Sequence, residues 1–219
     1  MYIKKNKRMK NLFAIMALVI ISSCAQSQTN NKIAAGLKQK TTNEAVATFG
    51  EGCFWHAEIV FQSLVGVRDA VSGYAGGSVV SPDYESVCSG STGHAEVVQV
   101  YYDPAKITFQ SLVKAFFASQ DPTQVNRQGH DAGTQYRSVA FYKNENEKQI
   151  INTEIKLLTD SKKYSSKIAT QVLPYKTFYA AEAYHQEYVL RHPDNGYVQN
   201  VSIPDYLKFK KEFKGNFKN

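Results

Sequence analysis

The chain has 219 residues, 43% hydrophobic and 21% charged, which is enough for one sizeable core with an N-terminal appendage. Its formal net charge of +7 is uneven: five of the 26 basic residues (Lys4, Lys5, Lys7, Arg8, Lys10) precede residue 24 and no acid does, which leaves 21 basic against 19 acidic residues. That near-neutral remainder removes the main support for a nucleic-acid partner.

The cationic start is followed by an apolar run, Leu12 to Ile21, and then Ser22 and Ser23 before Cys24, the layout of a secretory signal. The run falls short of the ~20 residues a bilayer span needs. Ile21-Ser22-Ser23-Cys24 resembles the lipobox of bacterial lipoproteins, which implies cleavage before Cys24 and acylation of its thiol. Cleavage after Ala25, as in an ordinary signal peptide, is the alternative. The expected organisation is a signal peptide over 1–23, a tether over 24–44 rich in Gln, Asn, Thr and Lys, and one domain over 45–219. Such a protein would sit in the cell envelope, held to a membrane by its lipid and facing the periplasm or the exterior.

Ala45 to Phe49 reads as a short strand broken by Gly50 and Gly52. Apolar residues at Phe54, Ala57, Phe61 and Leu64 then have helix spacing, so Cys53 falls at a strand-to-helix junction. A strand over 67–74 ends at Gly76-Gly77, and residues 78–94 read as an ordered loop. Residues 95–102, rich in Val and Tyr, predict another strand. A helix over 109–119, with Thr108 as its N-cap, precedes a loop over 121–134. A strand over 136–142, a helix over 145–158, a strand over 168–173 and a helix over 180–191 complete the walk. The core order β-α-β-β-α-β predicts an α+β fold, a ferredoxin-like split βαβ two-layer sandwich with long ordered loops.

A thiol at a helix start meets unpaired N–H groups and the positive end of the helix dipole, surroundings that lower a cysteine pKa from ~8.5 towards ~3.5–7.5. Cys53 is therefore the candidate nucleophile, against the common fate of a buried structural cysteine. Phe54 and Trp55, the chain's single tryptophan, follow it and could wall a small apolar pocket. Glu96 opens an otherwise apolar strand, where burial would keep its carboxyl protonated and able to give a proton; an edge glutamate facing water is the alternative.

These residues belong to longer strings: Gly52-Cys53-Phe54-Trp55, Gly73-Tyr74-Ala75-Gly76-Gly77, Pro82-Asp83-Tyr84-Glu85-Ser86-Val87-Cys88-Ser89-Gly90, Thr92-Gly93-His94-Ala95-Glu96, Asp121-Pro122-Thr123, Asn126-Arg127-Gln128-Gly129, Asp131-Ala132-Gly133-Thr134-Gln135-Tyr136-Arg137-Ser138 and Ala181-Glu182-Ala183-Tyr184-His185-Gln186. Together, in order from Val46 to Pro193, they resemble the type A peptide methionine sulfoxide reductases. The resemblance implies that Cys53 attacks the sulfur of a methionine S-sulfoxide and that Glu96 protonates its oxygen. It further implies that Tyr84 and Tyr136 hold that oxygen, that Phe54 and Trp55 receive the terminal methyl, and that Asp131 lies beside the substrate main chain. The products would be methionine and a Cys53 sulfenic acid. No cofactor is implied; an external thiol, thioredoxin-like or glutaredoxin-like, would be the reductant, and oxidised proteins or peptides the substrates.

His56 stands where the family commonly has a small residue or a second cysteine; it could tune the Cys53 thiol, but is expected to face solvent. Gln120 replaces the family's usual histidine, and no cysteine follows Cys88, whereas many relatives carry recycling cysteines near the C-terminus. Cys88 is thus a possible resolving residue, with direct attack by an external thiol favoured. His94, His130 and His185 lack ligand spacing and a cysteine pair, so no metal is expected. Arg137 is expected to make a structural hydrogen bond or ion pair. Two other classes compete: a cysteine acyl-transferase or protease using Cys53 with a base such as His94, and a non-catalytic lipoprotein adhesin or sulfoxide-binding module that kept the fold.

Overall fold

The computed structural model describes residues 43–218. The expected signal peptide, acylation site at Cys24 and tether up to residue 42 lie outside the described residues. In chain order the described part forms β1 (Ala45–Glu51), α1 (Phe54–Gln62), β2 (Val67–Ala75), α2 (Tyr84–Cys88), β3 (Ala95–Tyr102), α3 (Phe109–Ala118), β4 (Arg127–Gln128), β5 (Asp131–Ala132), β6 (Ser138–Tyr142), α4 (Glu145–Asp160), β7 (Gln171–Pro174), β8 (Phe178–Ala180), α5 (Tyr188–Arg191) and α6 (Ile203–Glu212).

The fold is α+β. One sheet runs β7-β6-β1-β3-β2-β8, and a separate two-stranded ribbon pairs β4 with β5. Within the large sheet β6 and β7 are parallel, joined through α4, and the other neighbours are antiparallel.

β3 explains why strict alternation is missing from its sequence. Its odd and even positions face opposite sides of the sheet. Val98 and Val100 join the main core, whereas Ala95 and Val97 join a second cluster with Val139 and Phe141. Both faces are therefore covered, and Glu96 points to the same side as Val98, towards the helices.

The main core packs α1 and α3 on that face. Phe49 on β1 is fully buried and stacks between Phe61 of α1 at 5.3 Å and Phe116 of α3 at 5.2 Å. Burying a phenylalanine contributes about 1.5–3 kcal/mol, so this triple stack fixes α1, and with it Cys53, against the sheet. Thr108 caps α3 as expected, accepting from the Ser111 N–H at 3.1 Å.

Several expectations need correction. The loop over 78–94 contains α2, started by a reciprocal capping box: Ser86 N donates to Asp83 Oδ1 at 2.8 Å and Asp83 N to Ser86 Oγ at 3.2 Å. The loop over 121–134 contains the β4-β5 ribbon, and Thr134–Tyr136 is a 3-10 turn rather than the start of a strand. The seventh strand begins at Gln171, later than expected. The helix expected over 180–191 does not form as one piece: Ala180 ends β8, Ala183–His185 is a 3-10 turn, and only α5 follows. Its backbone groups are claimed by β2 and α1 instead, since Ala181 N donates to Ser72 O at 2.9 Å and Glu187 N to Glu58 Oε1 at 2.6 Å. After Arg191 a π-helical turn (Val198–Ser202) runs into α6, and the tail returns to α1, with Val65 N donating to Asn216 O at 2.9 Å.

Candidate active site

Cys53 is the N-cap residue of α1, between the end of β1 and the first helical residue. Gly52 makes the turn. Its φ of +99° is a conformation that side chains rarely adopt, and a Cβ there would lie 2.6 Å from Gln128 Cβ. Gly50, one pleat earlier, lets β3 approach: a Cβ on it would meet Glu96 O at 2.7 Å. Gly50 thus lets β1 lie close against the Glu96 backbone, and the turn at Gly52 then starts α1 from Cys53.

Glu96 is 1% exposed, in a central strand, which excludes the edge-strand alternative. Its Oε2 accepts the Phe54 N–H at 3.1 Å, the first amide of the helix that Cys53 caps. Burial raises the carboxyl pKa to about 8, the Phe54 N–H opposes this, and the charge of Asp131 adds to it. Near neutrality Glu96 is a carboxylic acid with a proton to give.

The thiol departs from the expectation. Burial pushes the Cys53 pKa up, and the charges of Glu96 and Asp131 push the same way. A hydrogen bond from the Trp55 N–H and one from the Tyr197 hydroxyl oppose them. The helix N-terminus does not win because the sulfur is enclosed among acids, and desolvation of an anion outweighs one turn of α1 dipole. When Glu96 is protonated its repulsion lapses, so the two groups titrate as a pair.

Phe54 and Trp55 start an aromatic wall. Phe54 is buried, 6.5 Å from the Tyr84 ring and 4.9 Å from His185. Trp55 stacks on Tyr188 at 3.6 Å with 5° between the planes, and its indole N–H donates to His185 Nδ1 at 3.1 Å. Burial lowers the His185 pKa to about 4, against the pull of Glu182, so the ring is neutral. Accepting at Nδ1 assigns its proton to Nε2, which faces Glu182 Oε2 at 3.9 Å. Glu182 in turn accepts from the Tyr74 hydroxyl at 2.8 Å and from Tyr84 N at 2.9 Å, which fixes the start of α2.

Tyr84 and Tyr136 both remain neutral phenols. Burial raises each pKa, and the charge of Glu96 raises both further, which locates the two rings around that carboxyl. Tyr136 also senses Cys53, Cys88 and Asp131. It sits on the 3-10 turn that Arg137 secures, with Nη1 donating to Thr134 O at 2.8 Å and Nη2 to Gly93 O at 3.0 Å. Arg137 therefore has the structural role expected of it.

Asp131 reaches the same place from the β4-β5 ribbon. Gln128 anchors that ribbon, accepting from Asp121 N and donating to Asp121 O, each at 3.1 Å. The Tyr197 hydroxyl sits between Asp131 Oδ2, at 2.5 Å, and the Cys53 sulfur, and its single proton serves one or the other. Cys53, Asp131 and Tyr197 line a cavity of about 530 Å³, with Glu51, His56 and Gln128 among its other walls. A larger cavity of about 690 Å³ lies elsewhere, between α3, α4 and the C-terminal segment.

The remaining candidates separate. Cys88 is a free thiol that accepts from the Tyr84 hydroxyl, and burial raises its pKa. His94 is engaged away from Cys53: Gly77 N donates to its Nδ1 at 3.1 Å and its Nε2 bonds to Val79 O at 2.8 Å. It is no base for the thiol, which removes the ground for the acyl-transferase alternative. His56 does not face solvent. It is 8% exposed, and its Nε2 lies 3.3 Å from Ser119 O. Among the described residues no group of three or more His, Cys, Asp or Glu is placed to hold a metal. His185, Tyr188, Tyr197 and Glu182 were not assigned from the sequence; the aromatic spacing of Tyr184-His185 and Tyr188 is the one local signal they leave.

A free thiol at a helix start, a neutral carboxylic acid bonded to the first amide of that helix, and two neutral phenols that sense the same carboxyl define a site for sulfur redox chemistry. The model of the family described as peptide methionine sulfoxide reductase matches residues 45–217. The chain is 46% identical over 168 residues to the peptide methionine sulfoxide reductase MsrA of Polynucleobacter asymbioticus, covering 77% of this chain and 88% of that one. It is 48% identical over 170 residues to that of Picrophilus torridus, covering 78% and 96%. Among solved structures it is similar to reduced Mxr1 of Saccharomyces cerevisiae, with a TM-score of 0.67, 36% identity, and 72% and 91% of the two chains covered. The methionine sulfoxide reductase A of Corynebacterium diphtheriae gives a TM-score of 0.64 at 34% identity, covering 70% and 77%. The chain belongs to the peptide methionine sulfoxide reductase family, as an enzyme of the A type.

Proposed function

We propose that this enzyme reduces the S-sulfoxide of methionine, in proteins or free, through a Cys53 sulfenic acid. The observation that carries the reading is the shared helix start: Cys53 caps α1 and Glu96 accepts the first N–H of that helix. A sulfoxide bound there has its partly positive sulfur facing the thiol and its oxygen facing the neutral acid.

As the Cys53 sulfur bonds to the substrate sulfur, Glu96 gives its proton to the sulfoxide oxygen, and the thiol proton replaces it on Glu96. The substrate S–O bond breaks, methionine leaves with two electrons gained, and the hydroxyl ends on Cys53 as the sulfenic acid. Tyr136, held neutral, donates a hydrogen bond to the oxygen as its charge grows, and Tyr84 joins it by turning its hydroxyl from the Cys88 sulfur to the substrate. Phe54 and Trp55 take the terminal methyl, and Asp131 accepts from the substrate main chain. An external dithiol of thioredoxin or glutaredoxin type then attacks the sulfenic sulfur, releasing water and leaving a mixed disulfide. Its second thiol frees Cys53 and leaves the reductant oxidised. Cys88 is the alternative resolving thiol; its bond from Tyr84 gives it a structural partner, which favours the external route.

The central strand order β6-β1-β3-β2, antiparallel throughout, supports reading the core as a ferredoxin-like split βαβ layered under its helices and widened by β7 and β8. The layout of residues 1–44 supports cleavage before Cys24, lipid attachment there and repair of oxidised proteins in the cell envelope. Incorporation of labelled palmitate that Cys24→Ser abolishes tests the anchor; no incorporation into the wild-type chain ends it.

The activity test is direct. With a methionine S-sulfoxide peptide and dithiothreitol, the wild-type enzyme yields methionine, and Cys53→Ser yields none. Sulfoxide bound without turnover by the wild-type chain would favour the binding module instead.

A further inference from the structure

Glu58 lies one turn beyond Phe54 on α1, is 2% exposed, and has no part in the chemistry above. Its carboxylate collects donors from three directions. Oε2 accepts from Ser72 Oγ on β2 at 2.6 Å, and Oε1 accepts from Glu187 N at 2.6 Å and Gln62 Nε2 at 3.1 Å. Glu187 is the unusual partner. It has φ 54° and ψ 30°, the left-handed region, where a residue with a Cβ is strained and persists only if held. The next residue, Tyr188, is the one that stacks on Trp55 at 3.6 Å. Gln186 is tied to the same strand, donating to Ser72 O at 3.0 Å and accepting from Ser72 N at 3.1 Å.

We propose that Glu58 is a positioning residue: by holding the left-handed turn at Glu187 it seats Tyr188 against Trp55 and so sets the aromatic wall that receives the substrate methyl. The inference rests on the proposed role of Trp55 in that wall. The brace runs from the same helix that carries Cys53, so thiol and pocket move as one body. A wall built on a strained turn and a four-residue helix would otherwise be free to shift, and preorganised sites depend on such supporting bonds. Its loss should weaken binding rather than the sulfur chemistry.

Trp55 is the single tryptophan of the 219 residues, so its fluorescence reports the stack in the free enzyme with no reference to activity. Glu58→Ala is expected to change the Trp55 emission and quenching, and to raise KM for a methionine sulfoxide peptide about tenfold with kcat changed less than threefold. Glu58→Gln, which keeps an acceptor for Glu187 N, should stay close to wild type in both. The double variant Glu58→Ala/Glu187→Gly should recover the emission and much of the KM, because glycine adopts the left-handed turn without a brace. Far-UV circular dichroism on each variant checks folding; if Glu58→Ala does not fold, recovery by Glu58→Gln and the comparison of Glu187→Gly with Glu187→Ala decide the matter. Wild-type fluorescence in folded Glu58→Ala, or a double variant no better than the single one, would overturn the brace. Altered fluorescence with unchanged KM would uphold the brace and overturn the assignment of Trp55 to the substrate methyl.

Discussion

Glu96 and Phe54 meet through one hydrogen bond, from the Phe54 N–H to Oε2 at 3.1 Å. Because Phe54 follows Cys53, that bond fixes the acid relative to the sulfur without touching it. An ionised Glu96 would accept it more strongly, yet burial keeps the pKa near 8.

The pH dependence follows from that value. The active form carries the proton, so the single-turnover rate should fall as pH rises through about 8. Glu96→Gln should lower the rate by about 10²–10⁴-fold, the usual size of general-acid catalysis, and should lose this alkaline descent. Stability has its own sign. The folded carboxyl titrates near 8 and the unfolded one near 4.5, so the folded state binds more protons between them and loses stability as pH rises across that window. Relative to wild type, Glu96→Gln should therefore gain stability from pH 5 to pH 9 in urea unfolding; a constant difference would contradict the buried acid.

Tyr197 and Asp131 pull the thiol in opposite directions. The Tyr197 hydroxyl lowers the Cys53 pKa and the Asp131 charge raises it. Alkylation of Cys53 by iodoacetamide at pH 8 should be slower in Tyr197→Phe and faster in Asp131→Asn than in wild type. Equal rates in all three would show that neither group acts on the sulfur. Cys88→Ser serves as the background so that only one described thiol reacts.

Gly52→Ala tests the turn. The φ of +99° and the contact at 2.6 Å with Gln128 Cβ leave no room for a methyl. Strain of this kind costs about 1–3 kcal/mol, so the melting temperature should fall and activity should fall further, because Cys53 and the β4-β5 ribbon both shift. Unchanged kcat/KM would mean that the turn does not set the sulfur position.

Cys88→Ser should keep full turnover with dithiothreitol and with a thioredoxin-like donor. A selective loss with the protein donor would make Cys88 the resolving thiol and replace direct external attack.

What could be read from the sequence divides along a physical line. Between Ala45 and Leu158, α1, α3 and α4 follow from period-3.6 patterns and β1, β2, β3 and β6 from runs of β-branched and aromatic residues. Cys53, Phe54, Trp55 and Glu96 fall on or beside them; α2 and the β4-β5 ribbon, built on a capping box and loop bonds, have no such period. Glu96 was legible because a carboxylate among Ala95, Val97 and Val98 needs either a partner or a proton. The 180–202 segment was not legible: it buries His185 and half-buries Tyr197 through side-chain bonds, a left-handed turn and a π-helical turn, none of which has a sequence period. His56 was read as solvent-facing because nothing local shows that α1 has a second neighbour, α6, on that side. The sign of the Cys53 shift was misread for the same reason. A helix start is visible in sequence, whereas the enclosure and the acid from a distant ribbon are not.

The most direct measurement is a single turnover of the S-sulfoxide peptide without reductant, following methionine release and dimedone labelling together. The enzyme should release one methionine per chain while the label appears on Cys53, both at one rate, and Glu96→Gln should slow both at least a hundredfold. Label on Cys88, or an unchanged rate in Glu96→Gln, would contradict a sulfur and a neutral acid acting together on the S–O bond.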